Sequence, residues 1–175
     1  RDLESERGHA PAARELFRRV RSDDLPDADD RRVLALLRAE QFLLTGAADD
    51  ARAELDLARW PRAHAATPLA QELRGDALQQ QGRVEQALAQ YRDALQLLSD
   101  MQYRQIERLH TKSGYVYLYR VRDLDLAQHE AEMALSQAHN FRGLVAEEAG
   151  RYDEALTHYE TALRLADAMP RGESA

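Results

Sequence analysis

Histidines are the first side chains in this sequence that could do acid–base or metal chemistry. The six are His9, His64, His110, His129, His139 and His158. A helical zinc site needs two histidines four residues apart on one face, as in HExxH, and no pair has that spacing. The spacing therefore predicts histidines at the surface or between helices, and no metal site.

Adjacent carboxylates are the second candidates. Glu147 and Glu148 are neighbours in sequence, but a glycosidase needs its two carboxyl groups on opposite sides of a cleft. The acidic run from Asp23 to Asp30 lacks the central glycine and the final glutamate of a calcium-binding loop. We therefore expect a solvated helix face and an acidic loop at these places.

Other kinds of site have no signal. The sequence contains no cysteine, which excludes disulfides and thiolate chemistry. It contains no GxxxxGK[ST], GxGxxG or GxSxG motif, so no nucleotide site or hydrolase nucleophile is indicated. No catalytic, cofactor-binding or metal-binding residue is predicted, and we do not expect enzyme activity within these residues.

The composition favours a soluble helical protein that can bury a core. Of the 175 residues 44% are hydrophobic and 31% are charged, and the net charge of −7 disfavours nucleic acid as a partner. No apolar run approaches the ~20 residues that span a bilayer, so no direct membrane insertion is expected. Arginine outnumbers lysine, as is typical of GC-rich bacterial genomes, and the N-terminus lacks the apolar core of a signal peptide. The predicted compartment is the cytoplasm, or the periplasm if an export signal has been removed.

The elements that must position any site are paired helices. Residues 75–97 and 143–165 repeat one pattern of small and aromatic residues at the same spacings. The shared positions are Gly75, Gly82, Ala87, Tyr91 and Ala94 in the first copy, and Gly143, Gly150, Ala155, Tyr159 and Ala162 in the second. Small residues allow two helices to cross closely, a ring fills the adjacent gap, and a glycine with positive φ ends the first helix. Two such copies predict a stacked array of helix pairs.

Local signals place the helix boundaries. Helices are predicted at about 10–21, 30–45, 48–59, 67–81, 84–98 and 101–120, with another from about 123. Asp29 or Asp30 is expected to cap the second of these, and Thr67 to cap the fourth ahead of Pro68. Tyr115–Tyr119 alternates like a strand, but the neighbouring helical periodicity favours a helix.

The pattern of small residue, turn glycine, alanine, ring and alanine resembles the tetratricopeptide repeat family. The resemblance implies an all-α fold, a right-handed α-α superhelix of about 4–5 helix–turn–helix repeats. The first full unit matches with Gly46 as its turn glycine and Leu55 in place of the ring, and the third matches with Ala131 in place of the ring. The predicted repeats are 1–25 (partial), 30–60, 67–99, 101–138 and 139–168, followed by a tail at 169–175.

One interval is irregular. The distance from Ala127 to Ala155 is 28 residues, about six fewer than the usual ~34. No glycine or proline lies between Leu124 and Arg142 to mark a turn. Two explanations stay open: a truncated helix pair, or a mobile segment missing from the printed sequence, which we favour slightly.

The resemblance also implies a binding surface, because ligands of such arrays usually lie along the first helix of each pair. Carried over by helix position, the predicted binding residues are Leu36, Glu40, Leu43, Leu44, Glu72, Asp76, Gln79, Gln80, Thr111, Tyr115, Leu118, Tyr119, Asn140, Leu144, Glu147 and Glu148. Tyr115 and Tyr119 are four residues apart and can project from one face, although packing between helices is an equal alternative. Glu72 and Asp76 are expected to repel the C-terminal carboxylate that some family members hold, which favours a basic or amphipathic segment.

The function implied by the resemblance is a non-catalytic protein-interaction module, part of a larger bacterial signal-transducing regulator. The alternatives are a scaffold in a secretion, pilus or exopolysaccharide export assembly, and an enzyme whose catalytic domain lies outside these residues. Neither end of the array has a polar capping helix, so we also expect self-association through its ends.

Overall fold

The fold is built of helices alone in the part of the chain that the structure, a computed structural model, describes: Val20 and residues 24–167. The α-helices there are α1 (Ala28–Leu44), α2 (Ala48–Leu57), α3 (Thr67–Gln80), α4 (Val84–Leu95), α5 (Tyr103–Val116), α6 (Leu124–Glu148) and α7 (Tyr152–Asp167). A π-helical turn, Tyr117–Val121, extends α5. The all-α prediction is confirmed, and the Tyr115–Tyr119 segment is helical as expected. The predicted helix at 10–21 and the tail at 169–175 lie outside the described residues, apart from Val20.

Glycines end the first helix of three pairs. Gly46, Gly82 and Gly150 have φ values of 77°, 74° and 72°, in the left-handed region that only glycine enters without strain. Each lies two residues after the end of its helix and allows the chain to reverse. The three turn glycines predicted from the sequence are confirmed.

Two helix caps differ from the sequence predictions. The Asp27 carboxylate accepts the Asp29 amide at 2.7 Å and caps α1, so the prediction of Asp29 or Asp30 is wrong. Thr67 is the first residue of α3 and not its cap. Its hydroxyl instead donates to the Pro61 carbonyl at 2.7 Å, which ties the preceding loop to the helix.

In the second unit and in the fourth, the two helices cross where a glycine contacts a tyrosine. A Cβ added to Gly143 would lie 2.5 Å from the Tyr159 ring, and one added to Gly75 would overlap the Tyr91 ring. The ring therefore lies directly on the glycine backbone, and only glycine permits this approach. The sequence predicts a close crossing at both glycines with a ring in the adjacent gap, and the structure places the ring on the glycine itself.

The core is a series of interfaces between successive pairs. Leu36, Leu55 and Leu73 belong to one buried cluster, which joins α1 and α2 to α3. Tyr91 and Leu109 belong to the next, which joins α3 and α4 to α5. An array in which each pair packs on its neighbour has this kind of core.

The irregular interval is occupied by one uninterrupted helix. Helix α6 runs for 25 residues, from Leu124 to Glu148. Gly114 of α5 packs on its N-terminal half, near Ala127, and Tyr159 of α7 packs on its C-terminal half, at Gly143. The second helix of the third unit and the first helix of the fourth are thus one continuous helix.

Candidate functional site

The first helices of three successive pairs share one open groove. Its volume is about 720 Å³ where α1, α3 and α5 face it, and it continues past Lys112 and Arg120 to the tyrosines at the end of α5. We call this surface the central groove; its residues are Glu40, Leu43, Leu44, Leu73, Asp76, Gln79, Gln80, Lys112, Tyr115, Tyr119 and Arg120. Eight of the sixteen predicted binding residues therefore lie together.

The tyrosines of the central groove face solvent. Tyr115 is 56% exposed and Tyr119 64% exposed. Their rings stack with centroids 6.0 Å apart and planes 14° from parallel. Of the two alternatives left by the sequence, burial between helices does not apply, and the pair forms a stacked aromatic surface exposed to solvent.

The other predicted residues lie elsewhere. Leu36 is buried in the core, and Glu72 is only 2% exposed. Thr111 and Leu118 line a second groove, between α5 and α6. Four belong to the C-terminal half of α6, outside the residues that line the central groove: Asn140, Leu144, Glu147 and Glu148.

Buried Glu72 is the centre of an ionic cluster between α3 and α5. Arg108 donates to both its carboxylate oxygens, at 2.6 and 2.7 Å, and Lys112 donates at 2.7 Å. Lys112 also pairs with Asp76 at 2.6 Å. The two acids predicted to repel a carboxylate are therefore neutralised from within the chain, which corrects the expectation of an acidic surface here.

The protonation of Glu72 follows from this geometry. Burial by itself raises the pKa of Glu72, but the hydrogen bonds and charges of Arg108 and Lys112 outweigh burial and hold it below its ordinary value. Hydrogen bonds between charged groups, as here, are stronger than those between neutral groups. Glu72 is an ionised structural group, and a partner in the groove cannot reach it.

Two tetratricopeptide-repeat family models match the sequence, one over residues 136–168 and the other over residues 70–97. The chain contains tetratricopeptide repeats. The matched ranges correspond to α3 with α4 and to the C-terminal half of α6 with α7. The resemblance inferred from Gly75, Tyr91, Gly143 and Tyr159 is confirmed.

Solved structures share the fold of this array of helix pairs. The crystal structure of BtubC (BKLC) from P. vanneervenii is 22% identical, with a TM-score of 0.61 over 99% of this chain and 82% of that one. The crystal structure of MamA is 19% identical, with a TM-score of 0.53 over 96% of each chain. No curated protein sequence matches the chain. At these identities the structural likeness shows the fold alone.

Histidines of the array contribute contacts between helices. His139 of α6 and His158 of α7 approach to 3.1 Å between their Nδ1 atoms. Burial and the neighbouring His158 lower the pKa of His139. Across the described residues there is no cluster of three or more groups that could hold a metal ion, and no helix there is both long and apolar enough to cross a bilayer.

The Glu72 cluster predicts a loss of stability in acid. Because the folded pKa of Glu72 lies below 4.5, its ordinary value, the unfolded chain takes up the proton first. The stabilisation is therefore fully present above about pH 4.5 and is lost as the pH falls through the lower folded pKa. We expect the urea midpoint of the wild type to fall more steeply between about pH 5 and pH 3 than that of Glu72→Gln. Equal slopes in the two proteins would contradict this role.

Proposed function

We propose that this tetratricopeptide array is a protein-interaction module that binds an amphipathic segment of a partner along the central groove. The observation that carries the proposal is the pair of stacked, solvent-facing tyrosines in a groove with exposed leucine. Leu44, at the other side of the groove, is 76% exposed. Exposed aromatic and aliphatic side chains that share a groove are typical anchors of protein interfaces.

The charges of the groove support an amphipathic partner over a strongly basic one. Glu72 and Asp76 are paired with Arg108 and Lys112, and these four charges cancel. The groove also carries the acidic Glu40 and the basic Arg120. A segment with an apolar face and a few charges of either sign fits this balance, and recognition of such a face in a groove is a common binding mode.

Replacing Tyr119 with alanine tests the central groove. Segments selected from a random peptide display library against the chain are expected to bind the Tyr119→Ala variant at least tenfold more weakly, about 1.4 kcal/mol. Fluorescence anisotropy with labelled peptides measures the affinities. Tyr152→Ala is the matched control, because Tyr152 is 71% exposed at the start of α7. Equal affinity for the wild type and Tyr119→Ala would refute the groove assignment.

We further propose that the module belongs to a larger bacterial regulatory protein, in which the array docks a partner or a neighbouring domain. The support is the array architecture, which presents a long surface, together with the absence of a catalytic motif in the sequence. The full reading frame tests this context. A nucleotide-binding motif upstream supports the regulator, whereas a signal peptide supports the alternative, a scaffold in a secretion, pilus or exopolysaccharide export assembly.

A further inference from the structure

In the first two pairs, the groove between the helices is covered by the first helix of the next pair. Ala70, Leu73 and Ala77 of α3 lie in one buried cluster with residues of α1 and α2. Leu109 and Val116 of α5 lie in the next cluster with residues of α3 and α4. If the third pair follows the same packing pattern, a helix covers the groove between α5 and α6.

The fourth pair cannot supply that helix from the same chain. Residues 58–66 connect α2 to α3, and residues 96–102 connect α4 to α5, so each second helix has room to reverse. Helix α6 has no such connection, although the repeat match that begins at residue 136 starts inside it. The shortage of about six residues in this interval is about the length of a turn. The first helix of the fourth pair therefore continues straight on and cannot fold back over the α5–α6 groove.

The α5–α6 groove is open and mostly apolar. Its volume is about 430 Å³, and it is lined by Glu107, His110, Thr111, Gly114, Tyr115, Leu118, Ala127, Ala131, Ala134, Leu135 and Ala138. Ala131 occupies the position of the tyrosine in the second and fourth units, so a small side chain lines the groove here in place of a ring. The floor of small residues allows another helix to approach closely.

The same chain carries a helix face that matches this groove. Counted from the crossing glycine, the positions of Ala70, Leu73 and Ala77 in the second unit correspond to Ala138, Phe141 and Val145 in the fourth. Val145 is 47% exposed. Phe141 contacts Tyr103 and Arg104 at one edge of α5. The fourth unit thus has a covering face that its own chain leaves partly unused.

We propose that the C-terminal half of α6 from a second copy of this chain fills the α5–α6 groove. The contact is reciprocal, so the two α6 helices cross antiparallel about a two-fold axis near Ala138. A short connection that cannot fold back is a known route to such exchanged dimers. The shared face from Ala131 to Val145, symmetric about Ala138, is about 21 Å long.

Charge complementarity supports the second copy as the occupant. An axis at Ala138 places Arg142 of the partner subunit opposite Ala134, which lines the groove together with Glu107. Both Glu107 and Arg142 are exposed within one copy. At each end of the dimer, the Glu107 carboxylate of one copy therefore lies near the guanidinium of the partner's Arg142. Tyr115 lines both grooves, whereas Tyr119 lines only the central groove, so the Tyr119→Ala experiment tests the central groove.

Sedimentation equilibrium of the 175-residue chain is the first test. We expect twice the chain mass of 19.9 kDa. Ala131→Glu is expected to give the single chain mass with unchanged helical circular dichroism, because Ala131 is exposed within one copy and needs no repacking there. Ala89→Glu, the same change at an exposed alanine of α4, is expected to remain dimeric. A wild-type monomer at about 100 µM, or a dimer that survives Ala131→Glu, would overturn the proposal.

Charge reversal tests the register. Glu107→Arg and Arg142→Glu are each expected to weaken dimerisation at least tenfold, and the double variant is expected to recover most of the loss. A double variant no better than either single one would show that the two residues do not meet, and would refute the proposed axis.

Two further variants test the position of the two-fold axis and the reason why the dimer forms. The sequence has no cysteine, so Ala138→Cys adds a single thiol beside its symmetry mate, and mild oxidation is expected to give a covalent dimer. Ala89→Cys is expected to stay uncrosslinked. Insertion of six glycine and serine residues after Gln137 is expected to produce a monomer, because the fourth pair can then fold back over its own groove. A dimer that persists after the insertion would contradict the explanation by the missing turn.

Discussion

Replacing Tyr91 with alanine is expected to destabilise the fold by about 3–5 kcal/mol, the range for removing a large buried ring. Tyr91 is fully buried, and its ring fills the space against Gly75 where α3 and α4 cross. Alanine leaves a cavity at the join between the second and third pairs. Urea denaturation followed by circular dichroism measures the free energy of unfolding. Tyr152→Ala, at an exposed position, is expected to change it by less than about 0.5 kcal/mol.

The hydroxyl of Tyr91 contributes less to the free energy of unfolding than its ring does. It donates to Asp76 at 2.8 Å and lies 3.1 Å from the Gln79 side-chain oxygen, and burial together with Asp76 raises its pKa. It is therefore a neutral donor throughout the working pH range. Tyr91→Phe is expected to cost about 1 kcal/mol. If Tyr91→Phe were as damaging as Tyr91→Ala, the hydrogen bonds and not the ring would hold this crossing.

Replacing Glu72 with alanine is expected to destabilise the fold by about 3 kcal/mol, the lower end of the range for a broken buried ion pair. The change leaves Arg108 and Lys112 close together without their shared carboxylate. The cost stays at the lower end because the side chains of Arg108 and Lys112 are 49% and 27% exposed and can regain water. The same urea measurement applies.

Glu160→Ala, in an exposed part of α7, is the matched control for Glu72→Ala. It removes the same atoms from a glutamate outside the buried cluster, and its expected effect is less than about 0.5 kcal/mol. Equal effects at Glu72 and Glu160 would show that the cluster adds nothing to the stacking of α5 on α3. The Glu72→Gln variant separates the contribution of the charge from that of side-chain packing, because glutamine keeps the volume of the side chain and loses the charge.

Local rules predicted most of the architecture correctly. The turns at Gly46, Gly82 and Gly150 follow from conformational freedom that only glycine has, and the crossings of Gly75 with Tyr91 and of Gly143 with Tyr159 follow from the close approach that only glycine allows. The helical spacing also placed Tyr115 and Tyr119 on one face of a helix, although it left open whether that face is exposed. These properties depend on residues less than about one repeat apart, which spacing describes well.

Other features depend on contacts between pairs and were missed. Glu72 was predicted as a binding residue because its helix faces the groove, but Arg108, 36 positions later, pairs with it in the folded chain. The cap of α1 was misplaced by two or three residues, since several aspartates satisfy the same local preference and only the backbone direction selects Asp27. Hydrogen bonds and ion pairs that join one helix pair to the next produce no periodic pattern in the sequence.

By itself, the sequence determined the helix pairs, their turns and the identity of the repeat, because each depends on local backbone freedom and on side-chain size at short range. Only the tertiary structure decided which charges cancel, which tyrosines face water, and that α6 continues through the boundary between two repeats. These outcomes depend on the free energy of packing one pair on another, a sum over residues far apart in the chain.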